Sequence, residues 1–152
     1  LGMIDDARQI ENLLYSYADR IDGGDFEGLA DLFAHGRIAG MEDAPPEDVF
    51  EGRAGVLQLY ENTTRRYEDD GTPKTHHITT NVAVEVADDG ATAYSNAYYC
   101  VMQATDALPL QPIITGRYRD TFHKIDGEWW FDTRIMFVNQ MGDLSHHLNF
   151  EL

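Results

Sequence analysis

The chain has 152 residues, of which 27 are acidic and 11 are basic, so its formal net charge is −16 at pH 7. Such a charge repels phosphate backbones and anionic lipid surfaces, which argues against nucleic-acid binding and membrane attachment. Cys100 is the single cysteine and cannot form an internal disulfide, and nothing indicates secretion, so a cytoplasmic protein is expected. The hydrophobic fraction of 43% and the length predict one domain over residues 3–152.

Three helices are predicted in the first half of the chain. Apolar residues spaced three and four apart predict a helix over residues 5–22. Asp25 follows a Gly-Gly pair and is suited to cap a second helix, and a third helix is expected to begin near Gly52. A short strand is predicted around residues 37–39, and the polar run at 68–73 indicates a turn.

After this turn the apolar residues alternate with a period of two, which is typical of strands. The predicted strands cover residues 75–87, 91–104, 115–125 and 129–138. Asp-Gly dipeptides at 89–90 and 126–127 indicate hairpin turns, and two prolines indicate a loop over 106–112. This order predicts an α+β fold, a cone-shaped curved antiparallel sheet wrapped on three N-terminal helices. The open mouth of the cone is the expected ligand pocket.

Two adjacent histidines open the first long strand, and one of them is expected to face the pocket. Histidine titrates near neutral pH, so it can serve as a general base. Strict alternation places His76 on the same face as Ile78 and Val82, which favours His76 as the buried residue. A β-bulge near residues 79–80 would reverse this order and bring His77 inward. Alternation alone therefore leaves the choice between the two histidines open.

The C-terminal end of the first helix supplies two further polar candidates. Tyr17 lies on the apolar stripe, and Asp22 is the last residue before the Gly-Gly break. A carboxylate at a helix C-terminus opposes the helix dipole, so Asp22 is unfavourable for structure alone. It is a candidate partner for one of the histidines, and the alternative is a carboxylate exposed to solvent.

Four more residues are candidates for contacting a ligand in the pocket. They are Tyr60, Asn81, Tyr98 and Arg134. Arg134 is the candidate anchor because its strand is expected to end near the mouth, although arginines on sheets more often form ion pairs with neighbours. The histidine and cysteine spacings fit no metal site, and nucleotide-binding motifs are missing, so neither a metal nor a cofactor is expected.

Three segments of the chain resemble those of one known family. They are YADRIDGGDFEGLADLF from Tyr17, THHITTN from Thr75 and GRYRDTFHKIDGEWWFDTR from Gly116. Together they resemble the SnoaL-like branch of the nuclear-transport-factor-2-like superfamily, over about residues 5–140. The resemblance implies the same cone, a cystatin-like fold, and it is more specific for fold than for function. Members include dehydratases, isomerases, polyketide cyclases and non-catalytic β subunits of ring-hydroxylating dioxygenases.

The dehydratases of this family imply roles for three residues. Asp22 matches their aspartate at the end of the first helix, and His77 matches their catalytic histidine in the first long strand. Tyr17 matches the tyrosine five residues before the aspartate in bile acid 7α-dehydratase. Scytalone dehydratase has its tyrosine directly before the aspartate, where this chain has Ile21, which argues against that enzyme itself. The resemblance favours His77 over His76 as the residue that faces the pocket.

The leading hypothesis is a cofactor-free lyase or isomerase acting on an apolar, ring-containing carbonyl compound such as a steroid or polyketide. His77 would remove a proton, Asp22 would orient His77, and Tyr17 would donate a hydrogen bond to the developing enolate oxygen. The alternative is a non-catalytic subunit that binds a ligand or assembles with an oxygenase. The outer face of the sheet, rich in tyrosine and threonine, predicts a homodimer or homotrimer.

Overall fold

The helices of the computed structural model begin and end close to the predicted positions. The structure describes residues 4–151, so the first and last residues of the predicted domain lie outside it. The helices are α1 (Asp6–Asp22), α2 (Phe26–Asp31) and α3 (Gly52–Thr63), and one turn of 3₁₀ helix covers Pro46–Asp48. The carboxylates of Asp5 and Asp25 cap α1 and α2 by accepting 2.8 Å hydrogen bonds from the backbone N–H groups of Arg8 and Gly28.

One six-stranded sheet contains the strands found in the described part of the chain. They are β1 (Arg37–Ala39), β2 (Val49–Glu51), β3 (Thr75–Val86), β4 (Thr92–Gln103), β5 (Gln111–Ile125) and β6 (Glu128–Met141). Their order is β2-β1-β6-β5-β4-β3, and every neighbouring pair is antiparallel except β1 and β6. The sheet is curved and does not close on itself. The predicted α+β class and the meander over β3–β6 are confirmed, and β2 is an element that the sequence analysis missed.

The turn between β5 and β6 forms at the predicted Asp126-Gly127 pair. Both residues have positive φ angles, +50° and +82°. Two successive positive angles belong to a type I′ turn, whose twist matches that of the flanking strands. Ile125 pairs directly with Glu128 across the turn.

The start of β5 differs from the prediction. The strand begins at Gln111, inside the segment that was predicted to be a loop, and Pro112 pairs with Met102 of β4. The register of the two strands shifts between Val101 and Met102. A proline has no N–H group to donate to a neighbouring strand, so within a sheet it is tolerated at a shift of register such as this one.

A β-bulge in β3 decides which histidine faces inward. The register with β4 shifts between Thr80 and Ala83, and Asn81 has a φ of +55°. The bulge therefore brings His77, which precedes it, onto the same inner face as Val82 and Val84, which follow it. The placement of Ile78 on that same face was wrong, because Ile78 is 39% exposed on the outer side. The bulge lies slightly beyond the predicted position and has the predicted effect.

The hydrophobic core fills the space between the helices and the inner face of the sheet. The stripe of α1 is buried, with exposed fractions of 0–2% at Ile10, Leu14, Tyr17 and Ile21. Burial of each such side chain contributes about 1.5–3 kcal/mol. No helix in the part of the chain that the structure describes is long and apolar enough to cross a membrane.

The outer face of the sheet exposes several large side chains. Ile78, Tyr94 and Tyr98 are 39–49% exposed there. This is the surface on which the predicted homodimer or homotrimer would form, and the oligomeric state stays a prediction.

Candidate active site

A cavity of about 260 Å³ opens between the C-terminal halves of α1 and α3, the inner face of the sheet and the segment that follows β6. Its walls are mainly apolar. They include Ile21, Leu59, Ile114, Met136, Leu148 and Phe150. A few tyrosine, threonine and histidine side chains supply the polar groups. An apolar cavity with a few convergent polar groups is the usual form of a small-molecule site.

Asp22 and His77 form a hydrogen-bonded pair at the cavity wall. Oδ1 of Asp22 lies 2.6 Å from Nδ1 of His77 and accepts a second hydrogen bond of 2.8 Å from the hydroxyl of Thr75. Oδ2 accepts a hydrogen bond of 2.7 Å from the backbone N–H of His77. These three bonds explain how a carboxylate is held at a helix end whose dipole disfavours it.

The charge on Asp22 determines which nitrogen of His77 carries the proton. Burial alone raises the pKa of Asp22, but hydrogen bonds from His77 and Thr75 and attraction to His77 outweigh burial, so the pKa lies below its ordinary value. A carboxylate can only accept, so in the neutral imidazole the shared proton belongs to Nδ1 of His77. Nε2 then keeps a free lone pair. The His77 side chain is only 6% exposed and lines the cavity, so this lone pair is available to a bound ligand.

Tyr17 and Tyr60 share a hydrogen bond between their hydroxyl groups beside His77. The rings of Tyr17 and His77 meet edge to face, with centroids 6.4 Å apart. Burial raises the pKa of both tyrosines, although the charge of Arg134 opposes this at each of them. Both hydroxyls are therefore protonated at neutral pH. One proton serves the bond between them, and the Tyr17 hydroxyl also donates to the sulfur of Met136 at 3.8 Å. A thioether is a weak acceptor, so a ligand oxygen in the cavity would compete for that proton.

Tyr99 extends the aromatic wall, and a glycine makes room for it. Its ring stacks on that of Tyr118 at 4.5 Å, and its hydroxyl donates a 2.9 Å hydrogen bond to the carbonyl of Phe137. A Cβ atom at Gly116 would lie 2.4 Å from that hydroxyl and 1.9 Å from the same carbonyl. Any larger residue at Gly116 would therefore displace Tyr99 from the cavity wall.

Arg134 lies in the core behind the tyrosines and does not line the cavity. Its Nε and Nη2 each donate a 2.9 Å hydrogen bond to the carboxylate of Asp120, and both side chains are fully buried. The guanidinium lies 3.6 Å from the ring centroid of Tyr118 and 4.3 Å from that of Tyr17. The expectation that Arg134 anchors a ligand near the mouth is wrong. Arg134 lies in the middle of β6, where its Nε and Nη2 are bonded to Asp120.

Two other predicted ligand contacts lie outside the cavity. Asn81 is the residue of positive φ at the bulge, and Tyr98 is 47% exposed. Both line a second pocket together with Arg117. The alternation along β4 turns Tyr99 inward and therefore Tyr98 outward. The bulge in β3 leaves Asn81 exposed, so neither residue contacts a ligand in the cavity and both assignments were wrong. Tyr60 does line the cavity.

His147 is the cavity residue that the sequence analysis missed. It belongs to the segment after β6, its exposed fraction is 6%, and its Nδ1 is wholly buried without a hydrogen-bond partner. Backbone bonds hold the segment in place: Arg65 N–H donates to the carbonyl of His147 at 2.8 Å, and Asn149 N–H donates to Thr63 at 2.9 Å. The signal in the sequence was Leu144 and Leu148, four residues apart in an otherwise polar tail.

Titration of His147 should make the fold less stable in mild acid. Burial, together with repulsion by His77, lowers the pKa of His147 from 6.5 to about 4, while Asp22 opposes the shift. As the pH falls below about 6.5, the unfolded chain binds a proton at this residue, and the folded chain does so only near pH 4. The free energy of unfolding should therefore fall across this window, by about 3 kcal/mol at most.

Urea unfolding of the wild type and of His147→Phe between pH 4 and pH 7 checks this expectation. The variant should lose this part of the pH dependence. The lowered pKa of Asp22 removes stability only when the pH falls below its ordinary value of 3.8, so it does not interfere. If the free energy of unfolding changes with pH equally in the two proteins, His147 is not held neutral in the folded chain.

Residues 4–151 contain no group of three histidine, cysteine or acidic side chains placed to hold a metal ion together.

A family model described as a SnoaL-like domain matches residues 2–135. The chain belongs to the SnoaL-like family. The resemblance seen in the three sequence segments is thereby confirmed. A comparison of this SnoaL-like chain with curated proteins yields no match.

Solved structures with the same fold include three that illustrate its range. A candidate scytalone dehydratase from Novosphingobium aromaticivorans has a TM-score of 0.68 and 22% identity, over 90% of this chain and 85% of that one. An NTF2-like protein with a cystatin-like fold from the same organism has a TM-score of 0.70 and 21% identity, over 93% and 86% of the two chains. A candidate aromatic ring hydroxylase, also from that organism, has a TM-score of 0.69 and 21% identity, over 96% and 99%. Such likenesses establish the fold of this SnoaL-like protein.

Proposed function

We propose that this protein is a cofactor-free lyase or isomerase that removes a carbonyl-activated proton from an apolar, ring-containing compound. The observation that carries the proposal is the pair of Asp22 and His77. Nδ1 of His77 is tied to a carboxylate, and its other nitrogen is left for a ligand in an apolar cavity. A base held in one tautomer within reach of a substrate is what proton abstraction requires.

The proposed reaction begins when Nε2 of His77 takes a proton from the carbon next to a carbonyl group. The imidazole becomes positively charged, and the carboxylate of Asp22 stabilises that charge at 2.6 Å. Such a positioned base contributes about 10²–10⁴-fold in rate. The electrons of the broken C–H bond then either expel a hydroxyl group from the next carbon or move a double bond.

The tyrosine pair would stabilise the enolate that forms. The hydroxyl proton that is not used between Tyr17 and Tyr60 would turn from the weakly accepting sulfur of Met136 to the developing oxygen anion. The buried cation of Arg134 lies behind the Tyr17 ring, where its field favours negative charge at the tyrosine hydroxyl and its hydrogen-bonded partner. One such donor typically contributes about 10²–10³-fold to turnover.

The size of the cavity narrows the class of substrate. Ligand pockets usually span about 300–1,000 Å³, and the present cavity of about 260 Å³ is small by this measure. One or two fused rings suit it, whereas a four-ring steroid would extend through the mouth. The substrate class proposed is therefore a monocyclic or bicyclic ketone, of the kind found among polyketides.

A non-catalytic role, as a subunit that binds a ligand or assembles with an oxygenase, is the second candidate, because the fold by itself does not decide the function. An assembly or ligand-binding subunit would require neither the carboxylate at the end of α1 nor its bond to His77. The ordered pair of Asp22 and His77 is the reason that we place catalysis first.

The test uses 3-hydroxy-1-tetralone, a bicyclic ketone whose loss of water followed by tautomerisation gives fluorescent 1-naphthol. The wild type should accelerate naphthol formation above the spontaneous rate, and His77→Ala should not. His76→Ala is the matched control, because His76 is the adjacent histidine on the outer face, and it should keep wild-type activity. A parallel assay with a β,γ-unsaturated ketone would detect double-bond migration. If His77→Ala retains full activity, or if neither class of ketone reacts, the catalytic proposal is wrong.

A further inference from the structure

Thr75 and His77 lie on the same face of β3, and the side chains of both contact Asp22. Residues two apart on a strand point to the same side, so this spacing directs a hydroxyl and an imidazole towards the C-terminal end of α1. Oδ1 of Asp22 accepts a hydrogen bond from the Thr75 hydroxyl at 2.8 Å and lies 2.6 Å from Nδ1 of His77. One carboxylate oxygen therefore binds both side chains.

The other oxygen of Asp22 is held by the main chain. β3 is an edge strand, because the order of strands in the sheet ends with it. N–H groups on the open side of an edge strand have no neighbouring strand to bind. The backbone N–H of His77 donates instead to Oδ2 of Asp22, at 2.7 Å. A substitution of the Thr75 side chain leaves this anchor in place.

An anchor at Oδ2 alone would leave the carboxylate free to turn. Rotation about that contact moves Oδ1 relative to Nδ1 of His77, and the imidazole ring can turn with it. The Thr75 hydroxyl opposes this rotation, because a hydrogen bond weakens steeply when its donor is misaligned. Each carboxylate oxygen offers two lone-pair sites, and at Oδ1 the donors from Thr75 and His77 fill both.

We propose that Thr75 is a positioning residue, whose hydroxyl keeps the Asp22 carboxylate aligned with Nδ1 of His77. The catalytic consequence rests on the proposed function, because this alignment holds the base in one tautomer and one direction. Thr75 is not among the described residues that line the cavity. It therefore acts through Asp22 and not on a ligand. Its signal in the sequence is a hydroxyl side chain two residues before the base.

The same hydroxyl helps to keep Asp22 charged. Burial raises the pKa of Asp22, while the hydrogen bonds and charge of His77 and the hydroxyl of Thr75 lower it, and the pKa lies below its ordinary value. Oδ1 is the oxygen that a proton leaving Nδ1 would have to join. A donor already bonded to this oxygen makes it less basic, so the shared proton stays on His77.

Thr75→Val tests the proposal, because valine keeps the branched shape and lacks the hydroxyl. In the variant, the Nδ1–H proton of His77 observed by NMR should exchange with solvent about tenfold faster. kcat for 3-hydroxy-1-tetralone should fall by about tenfold, the effect of one hydrogen bond. The affinity for 1-naphthol should stay within about twofold, because the cavity wall is unchanged. Thr75→Ser restores the hydroxyl and should recover both the slow exchange and kcat.

Thr79→Val is the matched control. Thr79 lies two residues beyond His77 on the same strand and face, and its hydroxyl makes no hydrogen bond within the described chain. The variant should keep the wild-type exchange rate and kcat, with circular dichroism reporting whether each protein is folded. In the wild type itself, the hydroxyl proton of Thr75 and the Nδ1 proton of His77 should give a nuclear Overhauser effect. Two donors at one oxygen bring their protons to about 3 Å from each other.

The outcomes distinguish this inference from the proposed function. If Thr75→Val leaves the exchange of the Nδ1–H proton unchanged, or Thr75→Ser does not restore it, Thr75 does not position Asp22. Dehydration of the ketone by the wild type would then still support catalysis. If exchange becomes faster in Thr75→Val but the wild type dehydrates no ketone, the positioning role is supported and the catalytic proposal fails. If exchange becomes faster and kcat of an active enzyme does not change, the alignment does not serve catalysis and the inference is wrong.

Discussion

Replacing His77 with alanine should lower kcat for ketone dehydration by about 10²–10⁴-fold, because it removes the base that Asp22 orients at the cavity wall. Asp22→Asn should lower kcat by a similar or smaller factor, since an amide neither fixes the tautomer nor stabilises the imidazolium. The double variant should be no slower than His77→Ala alone, because residues that act as one unit are not additive. Initial rates of 1-naphthol formation from 3-hydroxy-1-tetralone provide the measurement.

Tyr17→Phe provides a comparison within the same assay. It removes one donor to the enolate oxygen and leaves the base intact, so its loss of about 10²–10³-fold should combine multiplicatively with that of Asp22→Asn. If the losses of His77→Ala and Asp22→Asn multiply instead, the two residues do not act as a pair.

The stability of Asp22→Asn shows whether the Asp22 carboxylate also stabilises the fold. The position of Asp22 at a helix C-terminus alone would make its replacement stabilising. The structure changes this expectation, because the carboxylate accepts bonds from Thr75 and from two groups of His77. The melting temperature of Asp22→Asn should therefore be lower than that of the wild type.

The sequence predicted the architecture well because its signals are local. Helix stripes, caps and Asp-Gly turns depend on neighbouring residues, and the structure places them within a few residues of the prediction. β2 was missed because its three residues stand directly between the 3₁₀ turn and the start of α3, with no alternation of their own. Its strand character comes from pairing with β1, which lies ten residues earlier in the chain.

The site was harder to predict because it depends on features that are not local. A single bulge at Asn81 reverses the alternation of β3, and nothing in the period of that strand predicts it. Only the family resemblance pointed to His77. Arg134 was misplaced because strand alternation gives the face of a residue but not its depth or its partner. Tyr98 was assigned to the wrong face of β4. His147 was missed because its segment contacts α3 through backbone bonds that leave no trace in the sequence.

Breaking the buried pair of Asp120 and Arg134 should produce the largest loss of stability. Arg134→Met leaves the Asp120 carboxyl fully buried without its cation, and the free energy of unfolding should fall by about 3–5 kcal/mol. Burial already raises the pKa of Asp120 while Arg134 opposes the rise. Without the guanidinium that rise is unopposed, and the carboxyl group must be protonated to stay in the core.

This predicts a pH dependence of definite sign. A carboxyl group whose folded-state pKa is raised stabilises the fold below its ordinary pKa, and that stability is lost as the pH rises through the raised value. The deficit of Arg134→Met relative to the wild type should therefore be larger at pH 7 than at pH 4.5. Urea midpoints and slopes at both values measure it.

Two further variants make the interpretation specific. Arg119→Met is the matched control, since Arg119 pairs with Glu42 at the surface, where both side chains are more than half exposed, and its loss should stay below about 1 kcal/mol. Combining Arg134→Met with Asp120→Leu removes both charges and should restore most of the lost stability, because an apolar pair of similar volume suits this core. If Arg134→Met lowers the free energy of unfolding no more than Arg119→Met does, the buried pair of Arg134 and Asp120 does not stabilise the fold. If the double variant is as stable as the wild type but has lost turnover, the pair of Arg134 and Asp120 acts on catalysis, through the electrostatic field at the Tyr17 hydroxyl, and not on folding.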